Sequence, residues 1–353
     1  MSFNFGNFLI ELIKNPILFV ITALISGVIF VNGCSDAPNT IATSVSTRSI
    51  TPRKALIMVA ICNFLGVFVM AIIGATVAET IINIANFGND SHIALIALCS
   101  AMITIVLWSI FTWYFGIPTS QSHTLVASLS GAAIAVSNGL NGIGFGEWKK
   151  VIYGLIISTI LGFVLGFIVA RLIEMIFKYA DRRRVNPIFK FGLIIGDALE
   201  AFLNSAQDSQ KFIAIFMMGI LLSNNVTDLQ IVETPIWMMI FFATIMTLGT
   251  CIGGSRIIKN VGMKMTKLEA YQGTAADIGS SICLIFSTLS GIPLSTTQTK
   301  TTAIMGVGAS RRISSVDWNI AKRMVLAWII TFPGSGALAY LITKLLLIVL
   351  GNA

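Results

Sequence analysis

Apolar stretches about twenty residues long recur along nearly the whole chain, and this feature limits the possible folds most. Residues 93–115 and 151–170 are two examples. A helix of that length crosses the roughly 30 Å of hydrocarbon in a bilayer, whereas a closed barrel needs alternating apolar and polar residues, which these stretches lack. Only 11% of the 353 residues are charged, against about 25% in soluble domains. We therefore predict an all-α polytopic membrane protein with about 10–12 membrane segments.

The basic residues are concentrated in a few short loops. Most of them lie in four segments, residues 48–54, 171–190, 256–267 and 311–323. Three other loops are almost free of Lys and Arg: residues 83–92, 137–148 and 223–235. Because cytoplasmic loops of membrane proteins carry an excess of Lys and Arg, the basic segments are predicted to be cytoplasmic. The net charge of +8 then reflects membrane topology, and we expect no nucleic-acid partner. The prediction is a multi-pass protein of the cell (inner) membrane, surrounded by the lipid bilayer, with both termini external.

Two motifs occur twice in the same order. Residues 116–123 read GIPTSQSH and residues 291–298 read GIPLSTTQ, an offset of 291 − 116 = 175. Asp36 and Asp208 lie in two further similar segments, at an offset of 208 − 36 = 172. With the loop charges, this pattern predicts two inverted-topology repeats, a common plan among secondary transporters. Their predicted limits are residues 1–178 and 190–353, joined by a cytoplasmic linker at residues 179–189.

Residues 17–47 and 190–222 are each too long for one simple span and are interrupted by polar, Gly or Pro residues. We predict discontinuous helices or helical hairpins there. Irregular backbone at membrane depth is tolerated only where protein or a water-filled cavity covers it. The two segments are therefore expected to form a substrate site.

Asp36 and Asp208 are the leading candidate residues, because an ionised side chain near the bilayer centre is costly and usually marks a transport pathway. The alternative is that each carboxylate only caps a half-helix. Polar neighbours can bind oxyanion oxygens or sodium, or merely pack helices closely. Asp36, Asp208 and Asn39 are predicted to bind the coupling ion, with the two aspartates as sodium ligands. The predicted substrate ligands in these two segments are Ser35, Asp36, Asn39, Thr40, Gln207, Asp208 and Ser209.

The repeated Gly-Ile-Pro-x-Ser motif is typical of a helix start, where free N–H groups attract anions. A short turn between helices is the alternative. His123 titrates near neutral pH if solvated and is a candidate for coupling to protons, although a packed histidine fits equally well. Lys211 and Lys300 are candidate charge partners of a bound anion or of the aspartates, with snorkelling to the interface as the alternative. The motif adds Ser120, Ser122, Ser295, Thr296 and Thr297 to the predicted substrate ligands.

Taken together, these segments resemble the inorganic phosphate transporter (PiT) family. Residues 33–39, GCSDAPN, and residues 204–211, NSAQDSQK, are similar to its paired Asn-Asp motifs, and residues 118–123 and 293–298 resemble its P-V-S-T-T-H element. The sequence departs from the family at Ser35 and Gln207, where Asn is usual, and at Gln298, where His is usual. The resemblance implies phosphate held between the two halves, uptake driven by sodium or protons, and a homodimer.

These features predict a symporter of inorganic phosphate that works by alternating access, with sodium or protons as the coupling ion and no other cofactor. Phosphate carries a proton that a carboxylate accepts, whereas sulfate carries none at neutral pH. A sulfate permease of the same family is the alternative. An enzyme with Ser120 or Ser122 as nucleophile and His123 as base is not expected, because the second motif copy has no histidine. A channel is also less favoured, because inverted repeats are typical of transporters.

Overall fold

The computed structural model describes residues 4–73, 76–115, 119–224, 235–261, 268–292 and 294–351, with backbone only at residues 37–39, 42, 70–73, 76, 113, 253–261 and 320. Across these ranges the fold is helical, with no strand beyond one isolated bridge between Ala85 and Ile143. The helices are α1 (Phe5–Lys14), α2 (Pro16–Thr40), α3 (Ala42–Ser46), α4 (Pro52–Ile73), α5 (Thr76–Ile82), α6 (Ser91–Phe115), α7 (Gln121–Ser137), α8 (Phe145–Ile176), α9 (Arg182–Ser223), α10 (Ile236–Val261), α11 (Ala270–Leu289), α12 (Thr296–Arg311) and α13 (Trp318–Leu350).

Within the described ranges, five helices are long and apolar enough to cross a membrane: α2, α4, α6, α8 and α13. The exposed face of α8 explains why the surroundings must be lipid. Ile152, Ile156 and Ile160 recur every fourth residue and are about half exposed, and a soluble protein rarely exposes such a continuous apolar stripe. The opposite face carries buried small residues such as Ser158 and Gly162. The prediction of an all-α multi-pass membrane protein is confirmed. The predicted total of about 10–12 membrane segments, which exceeds these five helices, stays a prediction.

The basic loops lie at one end of the molecule, and the loops that are almost free of Lys and Arg lie at the other end. At one end, hereafter the basic end, a cavity is lined by Thr47, Lys178, Arg182, Leu268 and Arg311, which belong to or adjoin all four basic segments. At the other end, hereafter the low-charge end, the backbone N–H of residue 86 donates to the carbonyl of residue 142 at 2.8 Å, and the start of the third low-charge loop lies beside them. This separation agrees with the loop pattern of the sequence.

The helices pack in a reciprocal pattern. α2 packs along α10 while α9 packs along α4, and α7 packs along α13 while α12 packs along α8. In each pair, a helix from the first half of the chain packs against one from the second half. Glycines permit the close approach: Gly66 of α4 lies against the backbone of Phe202, and Gly131 of α7 lies against the backbone of Gly336. Small residues at such contacts are typical of packed membrane helices.

The predicted interruption within residues 190–222 is wrong, because α9 is a continuous helix of 42 residues. No glycine or proline lies between Asp197 and Met218, and polar side chains there are satisfied without leaving the helix. The Ser205 and Ser209 hydroxyls donate to carbonyls three residues earlier, at 3.0 and 2.8 Å, a local bond that helices tolerate. The predicted interruption within residues 17–47 is observed, at Ile41 between α2 and α3.

Candidate substrate site

The two copies of the Gly-Ile-Pro-x-Ser motif lead into two helix starts with the same cap. The Ser120 hydroxyl accepts from the backbone N–H of His123 at 3.3 Å, and the Ser295 hydroxyl accepts from that of Gln298 at 3.2 Å. Both serines are N-caps, of α7 and α12 respectively. The predicted helix starts are confirmed, while Pro118 and Pro293 lie outside the described residues.

These two helix starts meet inside the protein. The Ser122 hydroxyl donates to the carbonyl of Leu294 at 3.1 Å. From this contact α7 extends to the low-charge end, where its C-cap Asn138 lies, and α12 extends to the basic end at Arg311. The N-termini of two equivalent helices therefore point toward one buried centre. Free N–H groups at such termini favour a bound anion.

Lys211 occupies this centre and uses all three of its N–H donors. Its ammonium group donates to Asp208 Oδ1 at 2.7 Å, to the Ser122 hydroxyl at 2.7 Å and to the Leu294 carbonyl at 3.2 Å. Its side chain is 2% exposed. Lys211 thus joins α9 to both motif copies, and the predicted pairing of Lys211 with Asp208 is observed.

The first-half aspartate lies beside this lysine. Asn32 of α2 donates to Asp208 Oδ2 at 3.1 Å, and the Asp36 carboxyl group lies within interaction range of Asp208, Lys211 and Asn32. All of these side chains are buried. The structure therefore brings Asp36 and Asp208, which are 172 residues apart, into one polar centre, hereafter the central cluster of Asn32, Asp36, Ser122, Asp208 and Lys211.

Charge defines what the central cluster can bind. With both carboxylates ionised beside one ammonium the cluster would carry a net charge of −1, a state that burial of two neighbouring carboxylates disfavours. An oxyanion that approaches Asp36 and Asp208 is repelled unless a proton or a metal cation neutralises a carboxylate. The cluster therefore suits an anion that arrives with a cation or carries its own proton.

Two predicted ligands from the first half, Ser35 and Thr40, flank the central cluster. The Ser35 hydroxyl donates to the Asn32 carbonyl at 3.1 Å and accepts from the Gln121 side chain at 3.4 Å. The Thr40 hydroxyl donates to the Asp36 carbonyl at 3.3 Å. The side chain of Asn39 is outside the described residues.

The remaining predicted ligands lie on α9 and at the start of α12. Gln207 donates to the Ser287 hydroxyl at 3.1 Å and to the Ile292 carbonyl at 3.3 Å, so its amide faces α11 and the second motif. Ser209 bonds within α9. Thr296 and Thr297 are buried in the first turn of α12.

His123 is packed against an aromatic side chain. Its ring stacks on Phe332 at a centroid distance of 4.8 Å and an interplanar angle of 27°, and it is 2% exposed. The side chain of its sequence counterpart Gln298 lies beside it and also contacts Thr159. This geometry is that of a packed histidine, and proton coupling through His123 stays a prediction.

Lys300 has other partners than those predicted. Its ammonium group contacts Glu200 and Asp277, and lies 3.7 Å from Asp197 Oδ1. The proposed pairing with Asp36 or Asp208 is therefore wrong. Sequence reasoning also missed these three acidic residues. A signal was available for two of them, because Asp197, Glu200, Asn204, Asp208 and Lys211 are spaced three or four residues apart and share one face of α9.

Fold and site together define a multi-pass membrane protein with a buried charged centre between paired helix starts, an arrangement typical of solute transporters. The sequence model of the phosphate transporter family matches residues 32–339. The chain therefore belongs to the phosphate transporter family.

Individual relatives cover nearly its full length. A probable low-affinity inorganic phosphate transporter of Bacillus subtilis is 38% identical over 94% of this chain and 97% of the relative. A protein of the same description from Rhizobium meliloti is 35% identical over 92% of this chain and 95% of the relative. Among solved structures, one described as the sodium-dependent phosphate transporter matches with a TM-score of 0.87 and 21% identity, covering 95% of this chain and 100% of the other. At that identity the structural match supports the fold alone.

Proposed function

We propose that this protein is a secondary transporter of inorganic phosphate. The observation that carries the proposal is the central cluster, where Asp36, Asp208 and Lys211 are buried at the meeting point of two helix N-termini. The helix termini and Lys211 attract an anion, and the carboxylates accept the protons that phosphate carries. The names of the relatives support the choice of phosphate.

The presence of two carboxylates beside a single ammonium in the central cluster supports symport. Phosphate has to enter with a cation or protons, because the carboxylates of Asp36 and Asp208 otherwise repel it. We propose sodium or protons as the coupling ion, with these two aspartates as its ligands and Ser35, Ser122 and Thr40 beside them. The solved structure with the same fold is described as sodium-dependent, which favours testing sodium first.

Transport by alternating access is proposed from the packing of the two halves, residues 1–178 and 190–353, joined at residues 179–189. The reciprocal helix pairs and the opposite directions of α7 and α12 from their common centre are expected of inverted repeats. Rocking of one half against the other would expose the central cluster to each side in turn.

We place the protein in the cell membrane with the basic end in the cytoplasm, since Lys and Arg favour that side. Both termini are then external. A homodimer is part of the proposal because the family resemblance implies it, and light scattering of the detergent-solubilised protein measures its mass directly.

The substrate is tested by uptake of labelled phosphate into proteoliposomes, with unlabelled sulfate as competitor. We expect saturable uptake that phosphate blocks and sulfate does not. Equal competition by sulfate would contradict phosphate specificity and favour a sulfate permease. Replacing sodium by choline, and separately collapsing the pH gradient, identifies the coupling ion.

The central cluster is tested with Asp36→Asn and Asp208→Asn, each of which we expect to abolish coupled uptake while the protein still inserts and binds detergent as the wild type does. Asp181→Asn is the matched control. Asp181 is the exposed N-cap of α9, and Asn caps helices as well as Asp does. Wild-type uptake by both cluster variants would refute the role of the aspartates.

A further inference from the structure

A second buried cluster lies on the same helix as the central one, and the proposed function does not use it. We propose that Asp197, Glu200 and Asp277 form a cation site whose resident cation is the ammonium group of Lys300. We further infer that this site accepts a sodium ion when the ammonium is removed. The cluster of these four residues is called the peripheral cluster.

Four elements build the peripheral cluster. Asp197 and Glu200 lie one turn apart on α9, Asp277 lies on α11, and Lys300 lies on α12. Thr43 of α3 donates its hydroxyl to Asp197 Oδ1 at 3.0 Å. The three acidic side chains are fully buried and that of Lys300 is 4% exposed. The site therefore joins α3 of the first half to three helices of the second half.

The acidic residues are arranged as metal ligands are. One oxygen from each of the three carboxylates lies within 4.8 Å of the others, and carboxylate oxygens are the ligands that hard cations prefer. The Lys300 ammonium contacts one oxygen of each. A cation therefore already occupies the position where the three carboxylates converge.

The cluster has a capacity for positive charge that Lys300 does not fill. Ser44 and Ser280 lie beside Asp197 and Glu200, yet Asp197 Oδ2, Glu200 Oε1 and Asp277 Oδ2 are buried without a hydrogen-bond partner of good geometry among the described residues. Three carboxylates and one ammonium balance only when two of the carboxyl groups hold a proton, and the side chains of Asp197 and Asp277 are close enough to share one. Buried and unsatisfied carboxylate oxygens of this kind are costly and point to a cation as the natural occupant.

The tethered ammonium keeps a free metal ion out. A second cation beside Lys300 is repelled by the ammonium, because charges interact strongly over a few ångströms in a buried site. Sodium carries the same single charge as Lys300, so replacing one with the other leaves the charge of the cluster unchanged. Sodium also takes oxygen ligands, here supplied by the carboxylates and Thr43. The wild-type cluster is thus complete without an ion from solution.

The experiment measures thermal unfolding of the purified full chain in detergent, without phosphate, in sodium chloride and in choline chloride of equal ionic strength. All variants carry Asp36→Asn and Asp208→Asn, so that any sodium response of the central cluster is absent. With Lys300 intact we expect the same melting temperature in both salts. With Lys300→Met added, we expect a lower melting temperature in choline and a saturable recovery in sodium.

Two further variants make the result specific. Adding Asp277→Asn to Lys300→Met should abolish the recovery in sodium, because a ligand is lost. Lys150→Met is the matched control, since Lys150 is exposed and pairs only with Glu147 one turn away; it should show no sodium response. If Lys300→Met yields too little folded protein, the double variant Lys300→Met with Glu200→Gln replaces it in the experiment. This double variant has one fewer uncompensated charge, so we expect a weaker sodium response from it.

Three outcomes overturn the proposal. The first is a Lys300→Met variant whose melting temperature is the same in both salts. The second is a higher melting temperature in sodium than in choline while Lys300 is intact, provided that Asp277→Asn removes the difference. Such a result would mean that the ammonium group does not exclude sodium from the peripheral cluster. The third is failure of both Lys300 variants to fold in sodium-containing buffer. Because unfolding needs no transport, none of these outcomes depends on whether the protein carries phosphate.

Discussion

The two buried lysines of this protein have opposite surroundings. Lys211 shares its donors among one carboxylate, one hydroxyl and one backbone carbonyl, whereas Lys300 faces three carboxylates. Lys211 lies where two helix N-termini converge, and both contribute positive potential. Lys300 lies four residues inside α12, away from that point. An anion that arrives with protons or a cation therefore suits the surroundings of Lys211, whereas a cation alone suits the position of Lys300.

One helix carries both environments. Asp197 and Asp208 are eleven residues apart on α9, about 16 Å along the helix, and lie on nearly the same face. The stripe between them is continuous, with Asn204 donating to Thr40 at 3.3 Å. The difference between the clusters thus comes from what α2, α7, α11 and α12 place against this face.

The largest expected effect is that of Lys211→Met on transport. Losing the ammonium leaves Asp208 without its ion partner, and breaking a buried pair costs about 3–5 kcal/mol. We expect initial phosphate uptake to fall by about 100-fold or more, with no rescue by sodium. Lys300→Met should retain uptake in sodium. Similar behaviour of the two variants would remove the contrast between the clusters.

Paired charge removal sharpens the same contrast. Lys211→Met with Asp208→Asn removes both charges of an ion pair, as does Lys300→Met with Glu200→Gln. Both double variants should recover most of the stability lost by the single lysine variants, measured as the midpoint of thermal unfolding. Only the Lys300 pair should also transport phosphate. Recovery of uptake by the Lys211 pair would mean that Lys211 is needed for folding rather than for binding.

Removing a single hydroxyl group from either cluster should have a smaller effect than removing a charge. Ser122→Ala deprives Lys211 of one acceptor, and a hydrogen bond to a charged group contributes about 1.5–3 kcal/mol. We expect the KM for phosphate to rise roughly tenfold or more, while Ser122→Thr keeps the hydroxyl and stays near wild type. Thr43→Val in the peripheral cluster should lower the melting temperature and leave the KM unchanged. An altered KM in Thr43→Val would couple the two clusters.

The smallest effects are expected at the two helix caps. Ser120→Ala and Ser295→Ala each remove the hydroxyl that accepts from a first-turn N–H group, a loss of about 1 kcal/mol of folding free energy. Thr at either position should restore it. Equal losses at both positions, read from thermal unfolding, support equivalent roles of the two motif copies. A loss confined to one copy would argue against that equivalence.

Much of the site is local and could be predicted from the sequence. The caps of α7 and α12 depend on a serine and an N–H group three residues later, and the Lys211–Asp208 pair is also three residues apart. The apolar stretches and the loop charges identify a multi-pass membrane protein. Both can be found from the sequence because they depend only on composition along the chain. Hydroxyls that bond back to nearby carbonyls are local too, and this explains why the polar stretch of α9 does not break the helix.

The partners of Lys300 and Asn32 were decided by the tertiary structure alone. Lys300 pairs with residues 23 and 100 positions away, and Asn32 donates to a carboxylate 176 positions away. At such separations the sequence gives the residue types but not their meeting. Glycine contacts between helices of the two halves set the distances at which these side chains meet. The chain by itself determined a membrane protein with two charged motifs, and helix packing determined which charge faces which.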